Sequence, residues 1–457
     1  MTGLPPLRLK SAWTVLAAAS VLIACVEAAS AQPEPSRTVP QADSAEQARA
    51  AYRRAIAAFR QRDTLAARRE LARAADWWPT QQFYLQASAQ LAAASRDTVD
   101  AARWLDRLAR MGIGTAPDAD TVFRRLVGTA IFDSAAARLA RATAPVPRSR
   151  VRLTVPDTMF HAEGVAFDAV KGRWFVGSVR QRRIVAVERD GAVHDFVSPA
   201  ADGIAGVFGL AVDGPRRRLW AATTALPRME GFAPQDSGRV GIYGYNLDTG
   251  RLERHAWMPR DSSTAHTFGD VVVAPNGDVY VSDSQAPWIH VLRLGSDSLV
   301  RFLTHPLFRS LQGMAITPDG STMFAADYSH GLVRIDLPAR TVTALPPPNG
   351  VTLLGLDGLY LHRGTLIAVQ NGVTPPRLVR ICLDPTLTAV RALEVLDRNP
   401  TLVDEPTLGA IAGDSAFYVA TSEWEKFDDA GNRVAGARLR PATVVALALD
   451  SSAACRR

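Results

Sequence analysis

The chain has 457 residues, 47% of them hydrophobic and 21% charged, with a formal net charge of +7 and a pI near 9.6. This length and apolar content can bury a sizeable core and predict two domains. The positive charge is carried by scattered arginines, with no basic run interleaved with aromatics; this excludes a dedicated nucleic-acid surface and, outside the cytoplasm, favours anionic surfaces or substrates.

Residues 1–31 read as a signal peptide. Arg8 and Lys10 give a positive start, and the apolar run from Ala12 to Ala24 is too short to span a bilayer. Ala29-Ser30-Ala31 before Gln32 is a small-residue cleavage site, while Leu22-Ile23-Ala24-Cys25 resembles a lipobox that would make Cys25 a lipidated membrane tether. The expected location is periplasmic or secreted, with an outer-membrane lipoprotein as the second form. The cysteines, Cys25, Cys382 and Cys455, are too dispersed for a Cys-based zinc site. Cys382 and Cys455 remain free to pair in an oxidising compartment, a question left open by their spacing.

Residues 32–43 are rich in Pro, Ser and Gln and read as a linker. A helical domain is expected over residues 44–145, dominated by Ala, Arg, Leu and Gln. Ala51, Ala55, Ala58 and Phe59, then Ala67, Leu71 and Ala74, then Pro79 give a tetratricopeptide-like unit. A weaker copy runs through Phe83, Leu91, Ala101, Trp104 and Leu108. Such units hold partner peptides, but one or two of them favour a helical cap or spacer.

From Val151 the periodicity changes to two-residue alternation with Gly, Pro, Asn and Asp at the breaks. One strand signature recurs around Gly164, Gly209, Asp270, Gly313, Gly358 and Gly409, at intervals of 43 to 61 residues. Each copy is followed by a second strand, such as Trp174–Ser178 or Val279–Asp283. Blades of four strands need roughly 40–50 residues each, so residues 151–450 are expected to form a six-bladed β-propeller. The longest interval holds an insertion at about Ala225 to Gly238. Val151 to Val155 precedes the first full copy and is expected to complete the last blade, closing the ring.

In a propeller the residue before each recurrent position lines the channel mouth. That column reads Glu163, Phe208, Gly269, Gln312, Asp357 and Leu408, with Asp270 after Gly269 and Glu405 just upstream of Leu408. Second-strand ends border the same mouth with Ser178, Asp283, Asp327, Asn371 and Ser422. Clustered carboxylates repel one another unless a cation or protons offset them, and Ca²⁺ accepts about six to eight oxygen ligands. Glu163, Gln312 and Asp357 are the candidate ligands; a water-filled polar channel is the alternative.

Phe-His-Ala-Glu163-Gly-Val-Ala-Phe-Asp, with the later Gly-Asp, Gln-Gly and Asp-Gly strand starts, resembles the SMP-30/gluconolactonase/LRE family over roughly residues 151–450. The resemblance implies a six-bladed propeller with one axial divalent metal, expected to be Ca²⁺, and a Glu, Asn and Asp on the first, fourth and fifth blades as its ligands. Glu163 and Asp357 match, and Gln312 stands where Asn is usual. Gly269 replaces a further channel Asn, and the Asp after it is kept as Asp270. The implied activity is metal-dependent hydrolysis of a lactone or ester, in which the metal polarises the carbonyl and activates water. Asp270 is the expected proton acceptor, with a strand-capping role as its alternative; His161 and His266 are weaker candidates. Serine-triad, zincin and P-loop motifs are absent from the sequence. The rival reading is a non-catalytic propeller that binds a protein or glycan, assisted by the helical domain.

Overall fold

The computed structural model describes residues 40–259, 264–450 and Cys455, so the expected leader, Cys25 and most of the linker lie outside the described residues. The chain divides into two compact units at Ala144/Pro145. Among the described residues, no helix is long and apolar enough to cross a membrane.

The first unit comprises helices α1 (Pro40–Arg60), α2 (Thr64–Trp77), α3 (Gln82–Ala94), α4 (Thr98–Met111) and α5 (Ala130–Ala142). The first helix begins four residues ahead of the expected Ser44. Ala51, Ala55, Ala67, Leu71 and Ala74 are buried, while Ala58 and Phe59 are half-buried. Asp63 accepts the Ala66 N–H and Asp97 the Asp100 N–H, satisfying orphan donors at the starts of α2 and α4.

The second unit is a six-bladed β-propeller, each blade a four-stranded antiparallel sheet. The inner strands are Ala162–Asp168, Gly206–Asp213, Phe268–Val273, Leu311–Ile316, Leu356–His362 and Gly409–Ala412. Arg150–Val155 pairs with Ala442–Ala448 as the outer strand of the sixth blade. Strands from both ends of the unit thus share one sheet, as the sequence predicts. Cys382, on the third strand of blade 5, forms a disulfide with Cys455.

Apolar residues fill the seams between blades. Phe175, Ile184 and Ala186 of blade 1 pack in one cluster with Leu210, Leu219, Tyr243 and Tyr245 of blade 2. Full burial of such side chains contributes roughly 1.5–3 kcal/mol each.

Near the axis, backbones replace side chains. A Cβ on Gly164 would stand 2.2 Å from the Phe208 carbonyl oxygen of blade 2, and one on Gly313 would stand 2.4 Å from the Asp357 carbonyl oxygen of blade 5. At Gly164, Gly209 and Gly313 the inner strand of the next blade approaches too closely for a side chain.

The same position carries a register shift in five blades. It falls between Ala162 and Val165, Val207 and Leu210, Phe268 and Val271, Leu311 and Met314, and Leu356 and Leu359. A bulge re-aims the side chains within it. Each of these five intervals contains one residue of the channel column.

Candidate functional site

All six column residues meet at one place. Glu163, Phe208, Gly269, Gln312, Asp357 and Leu408 line a cavity of about 190 Å³, together with Thr267, Ser284 and Trp424. Its polar side comes from blades 1, 3, 4 and 5, and its apolar wall from Phe208, Leu408 and Trp424. Glu163 and Asp357 are each only 7% exposed.

Each polar group is held by a neighbour. Trp424 Nε1 donates to Glu163 Oε2 at 2.6 Å. Asn371 Nδ2 donates to Asp357 Oδ2 at 2.6 Å and to the Pro406 carbonyl at 2.8 Å. With both amide hydrogens directed to acceptors, Asn371 Oδ1 is left buried with no hydrogen-bond partner beside Asp357. Gln312 Nε2 donates to Ser310 Oγ at 3.2 Å, which turns the Gln312 oxygen toward position 269.

The electrostatics follow from burial. Desolvation, then the charge of Asp357, pushes the Glu163 carboxyl well above the usual range against the opposing Trp424 hydrogen bond. Burial lifts Asp357 to about 7, opposed by Asn371. Glu405, at the edge of this region, is likewise raised to about 7 by burial. Such a set favours either protons or a cation. The available donors lining the cavity are oxygens: two carboxylates and the Gln312 amide. This donor set fits a hard divalent ion, so the residues present are compatible with an axial Ca²⁺.

Asp270 sits differently from the expectation of a proton acceptor at the cavity. It is buried, is absent from the cavity lining, and accepts the Met314 N–H of blade 4 through Oδ2 at 3.2 Å. Burial raises it to about 7, opposed by the Val271 and Met314 N–H groups. In blade 3 this aspartate occupies the recurrent-glycine position and ties its blade to the next.

The second-strand column also divides. Asn371 joins the site through Asp357. Ser178 donates to the Phe160 carbonyl, and Asp327 accepts the N–H groups of Arg309, Ser310, Ser329 and His330. Asp283 is bonded to His266, and Ser422 is buried. His161 is packed, with its ring stacked on Phe427 at 5.4 Å and edge-on to Trp424 at 4.5 Å. Burial depresses its pKa to about 3, so it is neutral.

Trp424, Thr267 and Ser284 lie outside the two sequence columns that mark the channel mouth. Trp424 opens an insertion between the second and third strands of blade 6, and because this blade is the last, no further recurrent strand start follows to mark the interval as long. A tryptophan in an otherwise polar loop was the available signal. The Arg228 guanidinium, from the blade 2 insertion, lies 4.9 Å from the Trp424 ring and donates to the Phe427 carbonyl at 3.2 Å. Arg180 donates to the Gly431 carbonyl at 3.2 Å and the Arg228 carbonyl at 3.4 Å. Two insertions from different blades are thereby joined beside the cavity.

No family model and no curated protein matches this chain. Solved structures do. Regucalcin from Agrobacterium tumefaciens strain C58, described as a calcium-binding protein, is 16% identical with a TM-score of 0.43, covering 65% of this chain and 93% of its own. A gluconolactonase from Xanthomonas campestris is 14% identical with a TM-score of 0.42, covering 67% and 95%. A virginiamycin B lyase from Staphylococcus aureus is 13% identical with a TM-score of 0.41, covering 59% and 81%.

Proposed function

We propose that this chain is an exported, cation-dependent hydrolase acting on lactones or related esters. One observation carries the reading: Glu163, Gln312 and Asp357, from three different blades, line a single axial cavity. These three residues would hold the ion, and an oxygen-only set favours Ca²⁺. When bound, the cation would supply the positive charge that polarises an ester carbonyl.

The remaining roles belong to the protein. Trp424 orients Glu163, and Asn371 orients Asp357. Phe208, Leu408 and Trp424 exclude water from one side and receive the apolar part of a substrate. Glu163 and Asp357 are the cavity-lining carboxylates able to accept a proton from attacking water. Asp270 is assigned to supporting the blade 3–blade 4 seam.

Export is part of the same proposal, with cleavage after Ala31 or lipidation of Cys25. The Cys382–Cys455 disulfide supports it, because such bonds persist in oxidising compartments. The helical unit, tetratricopeptide-like in its spacing of small residues, would act as a spacer or hold a protein partner.

The test is calcium analysis of the purified protein followed by a lactone panel with wild type and Glu163→Gln. Bound calcium and turnover lost in the variant support the hydrolase. No calcium and no turnover on any lactone would leave a module that binds a protein or glycan.

A further inference from the structure

We propose that His266, Asp283 and His290 form a second metal site, inside blade 3, that takes a zinc-class divalent cation. The three residues arrive from separate segments. His266 precedes the inner strand, Asp283 ends the second strand, and His290 lies in the third, Trp288–Leu292. One ligand atom from each lies within 4.8 Å of the others, and all three residues are buried.

Asp283 Oδ2 is the shared point. His266 Nδ1 lies 2.5 Å from it and His290 Nε2 lies 3.8 Å from it. Donor atoms on one tetrahedral zinc, with bonds near 2.0–2.1 Å, stand roughly 3.3 Å apart, between these two separations. Small side-chain shifts in opposite directions would therefore seat an ion. His290 Nε2 is buried without a hydrogen-bond partner, as is His266 Nε2. Unmet buried nitrogens are costly, and coordination by His290 Nε2 removes one of them. Two imidazoles and a carboxylate are a donor set of zinc chemistry, unlike the all-oxygen set on the axis.

Blade 4 supplies an internal comparison. Asp327 ends its second strand as Asp283 ends that of blade 3, and His330 Nδ1 is 3.4 Å from its Oδ1. There, however, both oxygens serve backbone: Oδ1 accepts Ser329 and His330 N–H, and Oδ2 accepts Arg309 and Ser310 N–H. In blade 3, Oδ1 alone takes the backbone donors of Thr267, Gln285 and Ala286. Oδ2 is turned to two histidines instead. The turn is built in both blades, and only blade 3 reserves an oxygen for imidazoles. An ion there would tie Thr267, which lines the axial cavity, to the second and third strands of its blade.

The experiment titrates untagged, chelator-stripped full chain with Co²⁺, whose visible ligand-field absorption reports a low-coordinate nitrogen site, and repeats it with Zn²⁺ in competition. The expected result is about one equivalent bound with a visible band displaced by Zn²⁺. The band should be lost in His290→Gln and in His266→Gln, each checked for native circular dichroism, and retained in Glu163→Gln. Absence of the band in wild type overturns the proposal without recourse to any variant. A band lost in Glu163→Gln but kept in both histidine variants would place the metal on the axis and overturn it as well. Loss of calcium binding in Glu163→Gln alone bears on the hydrolase reading and leaves this site untouched.

Discussion

Gln312 Oε1 lies 3.5 Å from the point at which a Cβ on residue 269 would stand. Gly269 and Gln312, from blades 3 and 4, are therefore neighbours in space. The Gln312 amide extends toward the space left open at Gly269, where Ser284 Oγ also lies, 2.8 Å from the same point. A Cβ at 269 would be in ordinary contact with Gln312 Oε1 and would crowd Ser284 Oγ, so a longer side chain there would contend with both for the same space.

This relationship predicts strong coupling. Gly269→Asn alone should crowd Gln312 and weaken calcium binding, and adding Gln312→Asn should recover it. The coupling in a double-mutant cycle, read by calorimetric titration, is expected to be about 0.5–3 kcal/mol. Simple additivity would show that the two positions act independently.

Trp424→Phe keeps a ring against His161 and Phe208 but removes the N–H that holds Glu163 Oε2. Calcium affinity should fall about 10-fold, in the manner of a lost outer partner of a ligand, with thermal stability little changed. Unchanged affinity would mean that the indole N–H does not position Glu163.

Blade number, ring closure and the channel column were legible because they rest on backbone geometry repeated six times. Gly164 and Gly313 recur for a steric reason, and the residue before each is thrown into the channel by the same bulge. The rest depended on contacts that do not repeat. Trp424 reaches Glu163 across 261 residues of sequence. Asp270 looks like a channel acid in sequence, yet its carboxylate turns to a backbone N–H of the next blade. His266 and His290 carry no spacing signature, since the fold, and not a helix, brings them to Asp283. The Cys382–Cys455 bond likewise needed coordinates.

Asp270→Asn separates a supporting role from a catalytic one. The amide retains an oxygen for the Met314 N–H, so stability should change by about 1 kcal/mol or less and turnover should be largely kept. A loss of about 100-fold or more in kcat with native stability would restore Asp270 as the general base.

The pH dependence has a definite sign. Glu163 and Asp357 have folded-state pKa values raised by burial, Asp357 to about 7. Without a cation, the folded chain binds more protons than the unfolded chain between the ordinary carboxylate range and about 7. The stability these groups contribute is fully present below that window and lost as pH rises through it. Calcium replaces those protons, so the Tm increase on adding calcium should be small at the acidic end and reach several degrees above about pH 7. A calcium-induced shift independent of pH would argue against ligation by these carboxylates.

The most direct measurement is calorimetric titration of calcium into chelator-stripped wild type, Glu163→Gln and Asp357→Asn, each confirmed as folded. The account predicts about one equivalent bound by the wild type and binding weakened at least about 10-fold in both variants. Equal binding by all three proteins would contradict it, placing any calcium elsewhere than on the propeller axis.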